Sequence, residues 1–115
     1  MRALGVDPGT AVTGYGVVEP VSAAGGRRTN GAAGHLVECG VLRTDAAQPL
    51  EQRLADLYRG MRELIARHAP DAVVVEGVFY AKNVRTTVVL GHARGVILLA
   101  AAEAGIRVFE YPPAT

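Results

Sequence analysis

The sequence predicts an α/β domain on a mixed five-stranded sheet, in the order βββαβαβ, and three observations carry the prediction. Short apolar runs with strand character occupy residues 2–7, 14–19, 35–42, 72–76 and 106–111. A long stretch with apolar residues three and four apart lies between the third and fourth runs, and an Ala- and Gly-rich one between the fourth and fifth. Strands separated by helices call for right-handed crossovers and parallel neighbours, whereas the first three, joined without helices, read as an antiparallel meander.

The 115 residues suffice for one small domain. Half of them are hydrophobic but 5% are aromatic, so Val, Leu, Ala and Ile must build the core. The net charge of +1 excludes a strongly basic nucleic-acid binder, and a DNA site would need local clustering of cations. Lys82 is the one lysine, and Cys39, the one cysteine, sits in an apolar stretch and is expected to be a buried thiol in a reducing compartment. Arg2 and Asp7 interrupt any signal-peptide core, and the apolar run 95–102 falls short of the ~20 residues of a membrane span. The expectation is a soluble, cytoplasmic protein with no membrane contact.

Strand one, residues 2–7, ends abruptly on Asp7, and Pro8-Gly9 turns the chain into strand two. Residues 20–34 have no apolar periodicity, contain Arg27-Arg28, and read as an exposed, mobile hairpin tip. Strand three follows at 35–42. The first helix spans about 49–68, with Pro49 suited to the first helical position and Arg67 and His68 at its carboxyl end. Leu50, Leu54, Leu57, Tyr58, Met61, Leu64 and Ile65 form its apolar stripe. Arg53, Arg59, Arg62 and Glu63 fall off that stripe and read as a solvated face. The continuous β-branched run 72–76 is the pattern of a strand buried on both faces. The second helix covers about 85–104 and stops at Gly105; its small residues permit close approach to a sheet or another helix. After the fifth strand, 106–111, this plan would ordinarily add one more helix, which the 115 residues do not contain.

Asp7 and Glu76 each terminate a strand. Were those strands parallel neighbours, both acids would emerge at the carboxyl edge, where open α/β sheets place ligands. Asp before Pro-Gly is equally a turn former that caps its own backbone. For Glu76 the alternative is a salt bridge, but a carboxylate closing Val73-Val74-Val75 is costly to bury without a cation. Two oxygen donors suit Mg²⁺, with Mn²⁺ able to substitute, because such ions keep several waters. His35, His68 and His92 lack any motif and read as structural. Phe79 and Tyr80 precede Lys82 in a loop next to the acids, either a stacking platform beside a cation or core residues leading into the second helix.

Three stretches then carry a resemblance. Gly5-Val6-Asp7-Pro8-Gly9-Thr10 with Thr13-Gly14-Tyr15-Gly16, Val75-Glu76-Gly77-Val78-Phe79-Tyr80-Ala81-Lys82-Asn83, and Leu90-Gly91-His92-Ala93-Arg94-Gly95-Val96 closely resemble RuvC-type Holliday junction resolvases. The likeness extends to Val108-Phe109-Glu110-Tyr111 and misses only the 20–34 loop, which is longer than usual. It implies a single RNase H-like nuclease domain over 1–115 and a homodimer that nicks two strands of a four-way DNA junction symmetrically, in recombination and repair. Carried over by motif, Asp7 and Glu76 resemble the family's first two metal-binding carboxylates. Phe79 matches the aromatic that stacks near the junction centre, and Lys82 lies in the DNA-facing loop, with Tyr80, Asn83 and Arg85 in the same stretch. Two-metal logic would have the carboxylates hold ions that activate water and stabilise the leaving 3′ oxygen. The second helix is expected at the dimer interface, and branch-migration proteins are further implied partners.

The family's remaining acidic or His positions lie on a C-terminal helix that the 115 residues lack, so the domain is expected to be truncated and its site incomplete. This keeps a non-catalytic junction-binding module in play. Asp7-Pro8-Gly9-Thr10 also fits the phosphate loop of an actin-like ATPase, although no second phosphate loop matches it.

Overall fold

A computed structural model describes residues 1–20, 34–77 and 83–111. The elements are β1 (Ala3–Asp7), β2 (Val12–Pro20), β3 (Gly34–Arg43), α1 (Leu50–His68), β4 (Ala72–Glu76), α2 (Val84–Glu103) and β5 (Arg107–Tyr111). They form one mixed sheet in the order β3-β2-β1-β4-β5. β1, β2 and β3 pair antiparallel, whereas β1 with β4 and β4 with β5 pair parallel. The predicted meander and crossovers are therefore present, and β1 is central.

Side chains alternate across each strand, so the sheet has two unlike faces. Leu4, Val6, Val17, Val73 and Val75 point to the helical side and join Leu57, Met61, Leu64 and Ile65 of α1 and Ala93, Ile97, Ala100 and Ala101 of α2 in one buried cluster. Each buried Leu, Ile, Val or Met side chain contributes about 1.5–3 kcal/mol. The opposite face carries neither helix. Val12, Val18, Leu36, Val41, Phe109 and Tyr111 are exposed there.

A polar knot closes the amino edge of the sheet. Arg2 donates through Nε and Nη2 to Glu19 Oε2, at 2.9 and 2.6 Å, and through Nη1 to the His68 carbonyl at 3.0 Å. That carbonyl belongs to the last turn of α1, whose end is marked by Ala69 in the left-handed region at φ 45°. On the helical side, Tyr15 donates to Glu38 Oε2 at 2.7 Å; Arg67 donates to the same oxygen at 3.1 Å, and His68 Nε2 lies 3.3 Å from Oε1. The Tyr15 hydroxyl above all, with His68 and Arg67 adding, holds the Glu38 carboxyl below its usual range against the opposing effect of burial. The same hydrogen bond raises the Tyr15 phenol.

Several expectations need correction. Cys39 is exposed rather than buried, because its register with Gly16 places it on the uncovered face. Pro49 precedes α1 as its N-cap, in extended geometry, instead of starting the helix. In α2 the small residues divide. Ala93, Ala100 and Ala101 pack into the core, but a Cβ at Gly91 or Gly95 would meet nothing within 4 Å. The run 95–102, bounded by Arg94 and Glu103, is part of a longer helix. Eighteen consecutive residues within Val84–Glu103 average a hydropathy of 1.3, and by length and composition alone this helix is apolar enough to cross a membrane, while its inner side is shared with the core. The 20–34 tip lies outside the described residues apart from its ends.

Candidate functional site

Asp7 and Glu76 are brought together by register. β1 and β4 pair in parallel from Ala3–Ala72 to Val6–Val75, and the next step on both strands is an acid. Neighbouring strands lie about 4.8 Å apart, so the two backbones deliver their carboxylates side by side. Val6 and Val75 are core residues, so both acids point to the uncovered face. Pro8 has no N–H to extend the ladder and ends β1 at Asp7. Beyond Glu76 the chain remains tied to β5, because the Gly77 amide donates to the Tyr111 carbonyl.

A cavity of about 360 Å³ opens over these acids, lined by Gly5, Val6, Asp7, Gly14, Tyr15, Gly16, Val74, Glu76 and Tyr111. Its floor is made by missing side chains. Gly14 is the register partner of Asp7, and Gly16 that of Gly5. Tyr111, the partner of Glu76, forms the flank and is exposed. The sequence reading missed this floor and Tyr111, although the period of two through Gly5 and Asp7, and through Gly14 and Gly16, would have placed them on one face.

The turn after Asp7 is held from the helical side. Gly9 N–H donates to Thr13 Oγ1 at 3.4 Å, and Thr13 is 2% exposed. Thr44 N–H donates to the Ala11 carbonyl at 2.9 Å. Arg53, from the first turns of α1, donates through Nη2 to the Thr10 carbonyl. Its Nε is buried. Arg53 thus departs from the solvated face assigned to it, whereas Arg59 pairs on the surface with Asp56 and Arg62 lies over the Tyr58 ring.

Two adjacent carboxylates are hard oxygen donors, and Mg²⁺ is commonly held by one or two such groups while keeping its remaining waters. The pair fits a hydrated divalent cation. Among the described residues no group of three or more His, Cys, Asp or Glu side chains completes a larger ligand set.

Of the expected DNA-facing residues, Phe79, Tyr80 and Lys82 lie outside the described residues. Asn83 is the N-cap of α2, its Oδ1 accepting from the amides of Arg85 at 2.8 Å and Thr86 at 3.4 Å. Arg85 is exposed in the first turn. The histidines are engaged elsewhere or stand on the surface: His68 faces Glu38, His92 Nδ1 lies 2.8 Å from the Val88 carbonyl, and His35 is exposed.

The chain is 50% identical over 113 residues to a crossover junction endodeoxyribonuclease RuvC of Chloroflexus aggregans, covering 98% of this chain and 63% of that protein. A Myxococcus xanthus protein of the same description is 51% identical over 114 residues, or 99% of this chain and 55% of its own length. The chain therefore spans less than two thirds of the length of these curated relatives. Thermus thermophilus RuvC, solved in complex with a Holliday junction substrate, superposes with a TM-score of 0.82 at 31% identity, over 98% of this chain and 66% of that one. The fold is accordingly the RNase H-like one, with its sheet order and helical layer. The family model described as crossover junction endodeoxyribonuclease RuvC matches residues 3–115, and the chain belongs to that family.

Proposed function

We propose that this chain is the RNase H-like part of a Mg²⁺-dependent endonuclease that resolves four-way DNA junctions by paired, symmetric nicks, in recombination and repair. The observation that carries this reading is the register of β1 with β4, which sets Asp7 and Glu76 side by side above a glycine floor. Asp7 and Glu76 would hold the cation, with Mn²⁺ as a substitute. When bound, it supplies an activated water and stabilisation of charge on the leaving oxygen. The glycines leave room for a sugar–phosphate backbone to approach the acids. Phe79 and Tyr80 stack on bases at the junction centre, and Lys82, Asn83 and Arg85 contact phosphate. The protein works as a cytoplasmic homodimer through the outer side of α2, where Val84, Val88 and Leu99 are exposed and Gly91 and Gly95 leave space. Branch-migration proteins are further partners.

One observation favours a second reading, junction binding without cleavage: two carboxylates, with no third ligand beside them among the described residues, hold a metal weakly. Family membership leaves the actin-like ATPase alternative without support. A synthetic four-way junction decides between the first two. Retarded mobility on binding, with Mg²⁺-dependent nicks lost in Asp7→Asn, supports the nuclease. Binding without nicks supports the second reading, and absence of binding removes both.

A further inference from the structure

The β1–β2 turn is fastened at three consecutive residues, Gly9, Thr10 and Ala11, to three different parts of the chain. Gly9 is tied to Thr13 inside β2, Ala11 to Thr44 beyond β3, and Thr10 to Arg53 of α1. The first two fastenings are local to the meander. The third is the one that joins the turn to the helical layer, across 43 positions of sequence. The turn has no slack of its own, because a Cβ at Gly9 would lie 1.9 Å from the Val12 carbonyl oxygen. Thr10 stands three residues after Asp7, so whatever fixes its carbonyl limits how far the end of β1 can swing relative to Glu76.

The guanidinium suits this task. Its Nη2 donates to the Thr10 carbonyl, while its Nε is withdrawn from solvent in the narrow space between the turn and the two helices, lined by Leu50, Leu54, Leu57, Val89 and Ala93. A charged donor to a neutral carbonyl makes a stronger bond than a neutral one. We propose that Arg53 is a positioning residue for Asp7: through the Thr10 carbonyl it sets the carboxylate against Glu76 from the face opposite the site. This rests on the reading of Asp7 as a metal ligand. Arg53 itself touches neither the cation nor DNA.

The test compares wild type, Arg53→Met, Arg53→Lys and Asp7→Asn of this chain. Mn²⁺ affinity is read from the free-ion electron paramagnetic resonance signal, at a temperature where each is folded, with amide hydrogen exchange at Gly9 and Thr44. Arg53→Met keeps the apolar stem and removes every donor. It should weaken Mn²⁺ binding about ten-fold, the lower end for groups that orient a metal ligand, and speed exchange at both amides. Arg53→Lys keeps a single donating nitrogen on a flexible stem and should lose about three-fold, between the two. Wild-type affinity in either folded variant overturns the proposal, whatever its melting temperature; if Arg53→Met does not fold, Arg53→Lys decides alone. Loss of binding in Asp7→Asn with none in the Arg53 variants overturns the positioning role and leaves the metal reading intact. If Asp7→Asn binds as wild type does, the metal reading fails and the proposal falls with it.

Discussion

Asp7 and Glu76 each stand one step past the register pair Val6–Val75, so two acids separated by most of the chain leave the sheet together on its uncovered face. Asp7→Asn keeps the shape and removes one charge. On the proposed nuclease reading, cleavage of a four-way junction by the complete protein should fall by at least about 100-fold, since groups merely supporting a metal ligand already cost about 10–100-fold. Junction binding should persist or tighten, because repulsion of phosphate is reduced. Gel-shift and nicking assays on one preparation check both outcomes, and equal loss of binding and cleavage would remove Asp7 from the chemistry.

Gly9→Ala tests the turn that follows. The added methyl meets the Val12 carbonyl oxygen at 1.9 Å, and that oxygen belongs to backbone that cannot step aside cheaply. A loss of about 2 kcal/mol or more is expected, within the range for strained backbone substitutions. Urea denaturation measures it, and a midpoint equal to wild type would mean that the turn relaxes freely.

Ala69→Gly should have the opposite sign. Ala69 closes α1 with φ 45° and ψ 55°, a conformation that disfavours a Cβ by about 1–2 kcal/mol. Glycine loses more backbone freedom on folding, about 0.5–1 kcal/mol, so a net gain of about 0.5 kcal/mol is expected. A lower melting temperature in Ala69→Gly would contradict this account of the cap.

The Tyr15–Glu38 hydrogen bond predicts an acid limb. The folded state depresses the Glu38 carboxyl below its ordinary 4.5, so its contribution is present above that pH and is lost as pH falls through the depressed value. The raised Tyr15 phenol acts at the other end: its contribution is present below pH 10 and is lost as pH rises through the folded value. Tyr15→Phe removes the largest cause of the Glu38 depression. Its stability should therefore fall less steeply with acid below about pH 4.5 than that of wild type, as followed by melting temperature against pH. Parallel curves would assign the depression to Arg67 and His68 instead.

The sheet was legible in the sequence because two periods are written into it. The unbroken Ala72–Glu76 run announced a strand with neighbours on both sides, and its bounds agree with β4. The stripe of α1 likewise named its own buried residues, Leu57, Met61, Leu64 and Ile65. Strand ends made the placing of Asp7 and Glu76 at one edge readable as well. What escaped depends on which face of the sheet the helices cover, a property of the whole topology and not of any local run. Cys39 lies among apolar residues and is nonetheless exposed, since neither helix crosses its face. Arg53 falls off the apolar stripe, yet α1 passes the β1–β2 turn there, and that contact joins residues 43 apart.

The pairing of β1 with β4 also bears on the order in which the molecule is made. β1, β2 and β3 are sequence neighbours that pair without an intervening helix, but Asp7 meets Glu76 only after the chain, including all of α1, has looped back across 69 positions. Closing such a loop costs entropy that the β1–β4 contacts repay late, so parallel pairing is the slower event. A refolding chain should therefore display helix and hairpin signals before it can retain a cation between the two acids. On the proposed reading of the two acids as metal ligands, metal retention would serve as a clock for the last stage of assembly, distinct from the stage that circular dichroism sees.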